Sequence, residues 1–270
     1  MDDRLTEENL NCLDQPWPCQ DSCSVQHFEL LRQCDVRGLL HCHTAYADGA
    51  HDLPAIIGTA RELGLDYLGV TDKLKSKLCE DGLCAERIAK QRAEIETYNA
   101  SGNGFTLLHG IEIEVDAEGK LPVDEALLEG FDYVVATMHD SCGLDTERQT
   151  ARAMKAVQDP RVSILGHPIG HFMTTGRELP LDIDRVLTEA SRSGVAVEID
   201  ANPAHDDLDW KNCYHAQKLG VVLVIASDAH RAARLGDYRH GAEMTRDAGL
   251  CCRQILNTQT ADEVRSFFRR

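Results

Sequence analysis

Seven short apolar runs punctuate the chain, each closing on polar residues and each followed by an amphipathic stretch. The runs are RGLLHCH (37–43), YLGVTDK (67–73), FTLLHGIEIE (105–114), YVVATMH (133–139), VSILGH (162–167), VAVEID (195–200) and VVLVIASDAH (221–230). Runs so continuously apolar predict strands covered on both faces rather than half-exposed ones. The stretches between them read as helices: 53–65, with Gly64 as a stop signal, then 84–100, 145–158, 183–194 and 210–220. Two closing helices are predicted at 240–249 and 260–269. Strands alternating with helices make a parallel sheet. Seven such units suit a closed barrel better than an open doubly wound sheet. No G-x-G-x-x-G loop follows the first run, which removes the usual sign of a dinucleotide fold. The predicted class is therefore α/β, with a barrel spanning 36–270 and its chemistry at the C-terminal strand ends. Residues 1–35 are polar and interrupted by Pro16 and Pro18. They read as a tail or cap, with a short helix predicted at 26–33.

Charge changes the picture next. Against 28 Lys and Arg stand 45 Asp and Glu, a net charge of −17. General affinity for nucleic acid rests on cationic side chains meeting phosphates, so this balance disfavours a long polyanion as partner and favours a small one. No apolar run reaches the roughly 18–20 residues of a membrane span. The opening MDDRLTEENL lacks the basic and apolar regions of a signal peptide, so a cytoplasmic location is expected. Eleven cysteines fit reduced, mostly buried thiols there. Cys12, Cys19, Cys23 and Cys34 match no zinc-ribbon spacing, and the adjacent Cys251 and Cys252 carry no assigned role.

The polar ends of the runs carry the candidate chemistry. His41 and His43 stand two residues apart, which on an extended chain turns both imidazoles to one face. Asp228 and His230 repeat that geometry at the last run. Glu112 closes the third run with Glu114 beyond it, His139 closes the fourth and His167 the fifth, and Asp48 follows the first. Each residue alone has a plain alternative, such as a satisfied core histidine at His167 or a helix cap at His139. Together they would place unpaired imidazoles and carboxylates at one end of a barrel, which is costly. Divalent ions account for the whole set, and imidazole with carboxylate suits Zn²⁺, Mn²⁺ or Fe²⁺.

These motifs are specific enough to resemble a known family. H-x-H with a following D-G (His41, His43, Asp48, Gly49), Thr71-Asp72, G-x-E at Gly110 and Glu112, His139, L-G-H-P over 165–168 and S-D-A-H over 227–230 resemble the PHP (polymerase and histidinol phosphatase) superfamily. DVRGLLHCHT, GHPIGH and DANPAHDDLDW are similar to the PHP module of bacterial family-X DNA polymerases. Only about 35 residues precede the match, so no polymerase portion is expected ahead of it. The resemblance implies a distorted TIM-like (β/α)7 barrel with a cluster of up to three metal ions, of which two are expected here and a third is left open. It implies His41, His43, Glu112 and Asp228 on the first ion, and Glu112, His139 and His167 on the second. Asp48, His230 and the residue after Thr71-Asp72 would hold a third. That residue is usually histidine and here is Lys73, which cannot ligate while protonated. Two arginines of the pattern are also replaced, by His171 and His205, and Asp140 follows His139 where serine is usual. Lys75 and Arg177 remain as candidate phosphate binders.

The expected activity is hydrolysis of a phosphate ester by two ions about 3.5–4 Å apart. Glu112 would bridge them and His230 or Asp48 would protonate the leaving oxygen. Asp72 and Asp200 are expected to support the ligating histidines. A small phosphomonoester is the expected substrate. The rivals are a 3′-5′ exonuclease or 3′-end phosphatase on DNA, and a non-catalytic metal-binding module.

Overall fold

The computed structural model describes residues 30–76, 79–139, 141–170, 178–205 and 207–269. Seven strands form one sheet in chain order, every neighbouring pair parallel. They are β1 (Gly38–Leu39), β2 (Tyr67–Lys73), β3 (Thr106–Glu114), β4 (Tyr133–Thr137), β5 (Ile164–Leu165), β6 (Ala196–Asp200) and β7 (Leu223–Ala226). The helices between them are α1 (Leu53–Glu62), α2 (Ala85–Ala100), α3 (Glu125–Leu128), α4 (Thr146–Val157), α5 (Ile183–Ser193) and α6 (Trp210–Lys218). Two more, α7 (Tyr238–Asp247) and α8 (Ala261–Phe268), close the chain. None of the described helices is long and apolar enough to cross a membrane.

Local chemistry sets the helix starts. Asp52, Asp145, Asp182 and Asp209 each cap a helix by accepting a backbone N–H three residues on. Thr260 and Glu263 form a reciprocal box at the start of α8. Gly194 ends α5 in the left-handed conformation, at φ 70°.

The strands are buried except at Lys73, Thr106 and Glu114, the ends of β2 and β3, as the continuous apolar runs require. Side chains turned inward form a small core of Leu40, Tyr67, Leu108, Tyr133, Val135, Ile164 and Val224. The larger core lies between strands and helices.

The sheet closes into a barrel by modest means. Cys42, just past β1, makes a single parallel bridge to Ala229, just past β7. Lower down, the buried side chain of Asn257 spans the same seam. Its amide nitrogen donates to the carbonyls of Gly38 (2.9 Å) and Ile225 (2.8 Å), and its oxygen accepts from Ile225 N (2.7 Å).

Two expectations shift. The run at 37–43 yields only a two-residue strand, because the backbone beyond Leu39 leaves the β1–β2 ladder. The helix expected at 26–33 is not formed over its described part. Leu30 bridges to Cys251, Leu31 N donates to Leu250 O, and Gln33–Asp35 is a 3-10 turn. Most of the proposed tail, with Cys12, Cys19 and Cys23, lies outside the described residues.

Candidate metal centre

His41 and His43 sit on the irregular segment above β1. Alternation survives there because neighbours hold the backbone extended. Thr71 N donates to Cys42 O at 2.8 Å and His43 N to Ala229 O at 3.0 Å. The Cys42 thiol turns to the Gly69 carbonyl. Both imidazoles are fully buried, with ring centroids 5.2 Å apart.

Glu112 lies near the end of β3, in register with Lys73 and Val135 on either side. Its Oε2 is 3.3 Å from His41 Nε2 and 3.5 Å from His43 Nε2. Its Oε1 faces another way, 3.4 Å from His139 Nε2, and accepts from Thr137 Oγ1 at 2.9 Å. Asp228 divides similarly. Oδ1 is 3.0 Å from His43 Nε2 and 3.7 Å from His41 Nε2, while Oδ2 is 3.7 Å from His167 Nε2. The His167 ring is 5.1 Å from that of His139 and 5.7 Å from that of His41. His41, His43, Glu112, His139, His167 and Asp228 thus meet in one place. His167 and Asp228 do so with φ of 45° and 43°, a left-handed backbone that ordinary side chains rarely adopt and that collects at functional sites.

Three of the four imidazoles are anchored from behind by carboxylates. His41 Nδ1 donates to Glu198 Oε2 at 2.6 Å and His139 Nδ1 to Glu114, while His167 Nδ1 lies 3.3 Å from Asp200 Oδ2. Each anchor turns the other ring nitrogen toward the centre, the arrangement that orients ligating histidines. Sequence reasoning named Asp200 and Asp72 for this task. Asp72 does something else: it accepts from Thr44 N at 2.6 Å and from the Gln91 amide. Glu198 and Glu114 were missed as supports. The signal was the i, i+2 spacing of Glu198 with Asp200 and of Glu112 with Glu114.

Electrostatics favour a cation here. Burial pulls the imidazoles toward neutrality, yet the surrounding carboxylates win. They push His43 up to about 9, His167 up to about 10 and His41 well above its ordinary value. Burial raises Glu112 and Asp228, but the same imidazoles hold both well below the usual carboxylate range. The site is therefore an anionic nest that demands positive charge. His43 Nδ1 is buried without a hydrogen bond, although Asp48 Oδ1 lies 3.3 Å away. Among the described residues, ring nitrogens and carboxylate oxygens converge in four groups suited to an ion: His41–His43–Asp228, His41–His167–Glu198, His43–Asp48–His230 and His167–Asp200–His205. That donor chemistry fits Zn²⁺, Mn²⁺ or Fe²⁺.

The remaining named residues divide. Asp48 and His230 reach the cluster edge, His230 Nε2 lying 3.1 Å from Asp48 Oδ2 and its ring stacking on His43 at 4.0 Å. Lys73 Nζ is 3.0 Å from Asp48 Oδ2. His205 Nδ1 donates to Asp200, so this imidazole joins the rear wall of the centre. Lys75 is exposed beyond β2, and among the described residues no ion pair joins it to the cluster. His171, Arg177 and Asp140 lie outside the described residues.

A PHP domain covers residues 40–200. The chain belongs to the PHP family. Among its relatives is the DNA polymerase/3′-5′ exonuclease PolX of Bacillus subtilis (strain 168), 30% identical over 242 residues. That match takes in 90% of this chain and 42% of PolX. A probable phosphatase of Thermoanaerobacter sp. (strain X514) is 31% identical over 165 residues, 57% of this chain and 65% of that protein. A probable phosphatase of Caldanaerobacter subterraneus subsp. tengcongensis is 29% identical over 247 residues, 87% of this chain and 92% of that one. Among solved structures, histidinol phosphate phosphatase of Lactococcus lactis, in complex with zinc, L-histidinol and phosphate, superposes with a TM-score of 0.61. It is 16% identical and the overlap covers 80% of this chain and 94% of that one, a likeness of fold. The PHP match ends at Asp200, yet the centre draws Asp228 and His230 from beyond it.

Proposed function

We propose that this PHP protein is a metal-dependent phosphoesterase that hydrolyses a small phosphomonoester at a two-metal centre. The observation that carries the reading is the split of Glu112. One oxygen faces His41 and His43 and the other faces His139, so a single carboxylate addresses two sets of imidazoles. His41, His43, Glu112 and Asp228 would hold one ion, and Glu112, His139 and His167 the second. When bound, the ions supply Lewis acidity and make hydroxide available near neutral pH.

The chain's own residues do the rest. Glu198, Glu114 and Asp200 fix the tautomer and aim of three imidazoles, so no reorganisation is needed as charge develops. His230, partly exposed at the edge, stands where a proton can pass to the departing alkoxide, and Asp48, which His230, His43 and Lys73 hold well below the usual carboxylate range, stays ionised and orients it.

The test is a screen of phosphate monoesters with Mn²⁺, Zn²⁺ or Fe²⁺ added to chelator-stripped protein. Turnover of at least one ester that disappears with chelator supports the reading, and inactivity across sugar, amino-alcohol and nucleotide monophosphates would defeat it.

The identity with PolX favours a second reading, a 3′-5′ exonuclease on DNA. The net charge of −17 weighs against it. DNA affinity measured across salt separates the two, because several phosphate contacts would give a steep fall with rising salt. We expect no such binding.

A further inference from the structure

At the solvent edge of the centre, Asp48, His43 and His230 bring a carboxylate oxygen and two ring nitrogens within 4.8 Å of one another. Such a trio suits a cation, and the chain already places one there. Lys73 Nζ stands 3.0 Å from Asp48 Oδ2 and 3.4 Å from His230 Nε2. Its position is set by the sheet, since Lys73 is the last residue of β2 and pairs in register with Glu112. An ammonium donates hydrogen bonds and cannot ligate. A divalent ion among the same donors would be repelled by it at short range.

Exposure separates this corner from the rest. The side chains of His41, His43 and Glu112 are 1%, 0% and 1% exposed, whereas those of Lys73, Asp48 and His230 are 22%, 30% and 35% exposed. The corner is therefore open to a group arriving from solvent. Asp48 takes one of the three N–H bonds of Lys73 and His230 Nε2 lies within reach of a second, which leaves the third for an incoming oxyanion.

We propose that Lys73 is a built-in cation that binds a phosphate oxygen of the substrate beside the metal centre, and that the Asp48–His43–His230 corner takes no ion of its own. This rests on the phosphoesterase reading above. A single covalent cation in place of an exchangeable one makes phosphate binding depend on the side chain and leaves the metal content independent of it.

The experiment compares wild-type protein with K73M, K73R and K73H, all metal-loaded. Metal per chain is measured by mass spectrometry, and binding of inorganic phosphate by calorimetry. K73M should keep the wild-type metal content and weaken phosphate binding about tenfold or more, the loss expected of a charge-assisted hydrogen bond. K73R should retain most of the affinity, because the charge remains. K73H should gain one ion, since an imidazole adds a fourth donor to the trio where the methionine of K73M adds none. Phosphate affinity of K73M within about twofold of wild type would overturn the role of Lys73. Loss of an ion in K73M, or no gain in K73H, would overturn the claim that the ammonium stands in for one. Wild-type protein that binds no metal would instead defeat the phosphoesterase reading. The phosphate titration of K73M would still decide whether Lys73 binds the anion.

Discussion

Glu198 shows what a single buried carboxylate does in this molecule. It is fully buried on β6, accepts from His41 Nδ1, and lies 3.5 Å from the backbone nitrogen of His167. Replacing it by glutamine removes the charge that steadies His41 while keeping the shape. Metal affinity should fall about 10- to 100-fold with the fold intact, as for other outer partners of ligating histidines. A competitive chelator titration measures this, and an unchanged affinity would show that Glu198 is only structural. At this scale the sequence was a good guide to which residues converge and a poor guide to which support them. The i, i+2 spacing at His41–His43 and Asp228–His230 is visible by eye. The choice of Glu198 over Asp72 is not, because it depends on where β6 and β2 stand around the barrel. Asp72 points to Thr44 and Gln91, on the α2 side, and away from the imidazoles it was expected to serve.

Among elements, the seam between β1 and β7 is the weakest join. Among the described residues no ladder joins the two edges, which are spanned by the bridge at Cys42–Ala229, by Asn257 and by side chains of the centre such as His43 and Asp228. Asn257→Ala would leave the Gly38 and Ile225 carbonyls and the Ile225 N–H without that partner in a buried place. A loss of about 3 kcal/mol is expected from orphaned groups of this kind. For a domain of this size that corresponds to a melting temperature lower by about 6–12 °C. Calorimetry would check it, and a shift under about 1 °C would mean that water or a backbone shift replaces the amide. The alternation of strands and helices was legible, since β2 and β3 match their apolar runs almost residue for residue. The shortness of β1 and β5 was not. Each ends because its own backbone leaves the ladder while the neighbouring strands run on, and a run's composition does not record that.

For the whole molecule, the balance of charge at the centre sets the response to pH. In protein stripped by chelator, His43 and His167 have pKa values raised to about 9 and about 10, against an ordinary value near 6.5. A raised value means that the folded state holds the proton more tightly. The stability this contributes is fully present below about pH 6.5 and is lost as pH rises through about 9 and 10. Stripped protein should therefore melt at a progressively lower temperature between pH 6.5 and 10. Reloaded protein should not, because the ions replace the protons, and loading near pH 7.5 should release protons into a weakly buffered solution. A stripped protein whose melting temperature rises over that interval would contradict the charge assignment.

The central claim is that Glu112 joins two metal ions, and metal content per chain, read in wild type and Glu112→Gln alongside hydrolysis of a responsive ester, tests it most directly. Wild type should carry two ions. The variant should keep its circular dichroism spectrum, carry one ion or none, and lose hydrolysis by about two orders of magnitude or more, since the carboxylate charge that binds both cations is gone. A glutamine variant with wild-type metal content and wild-type turnover would contradict the account.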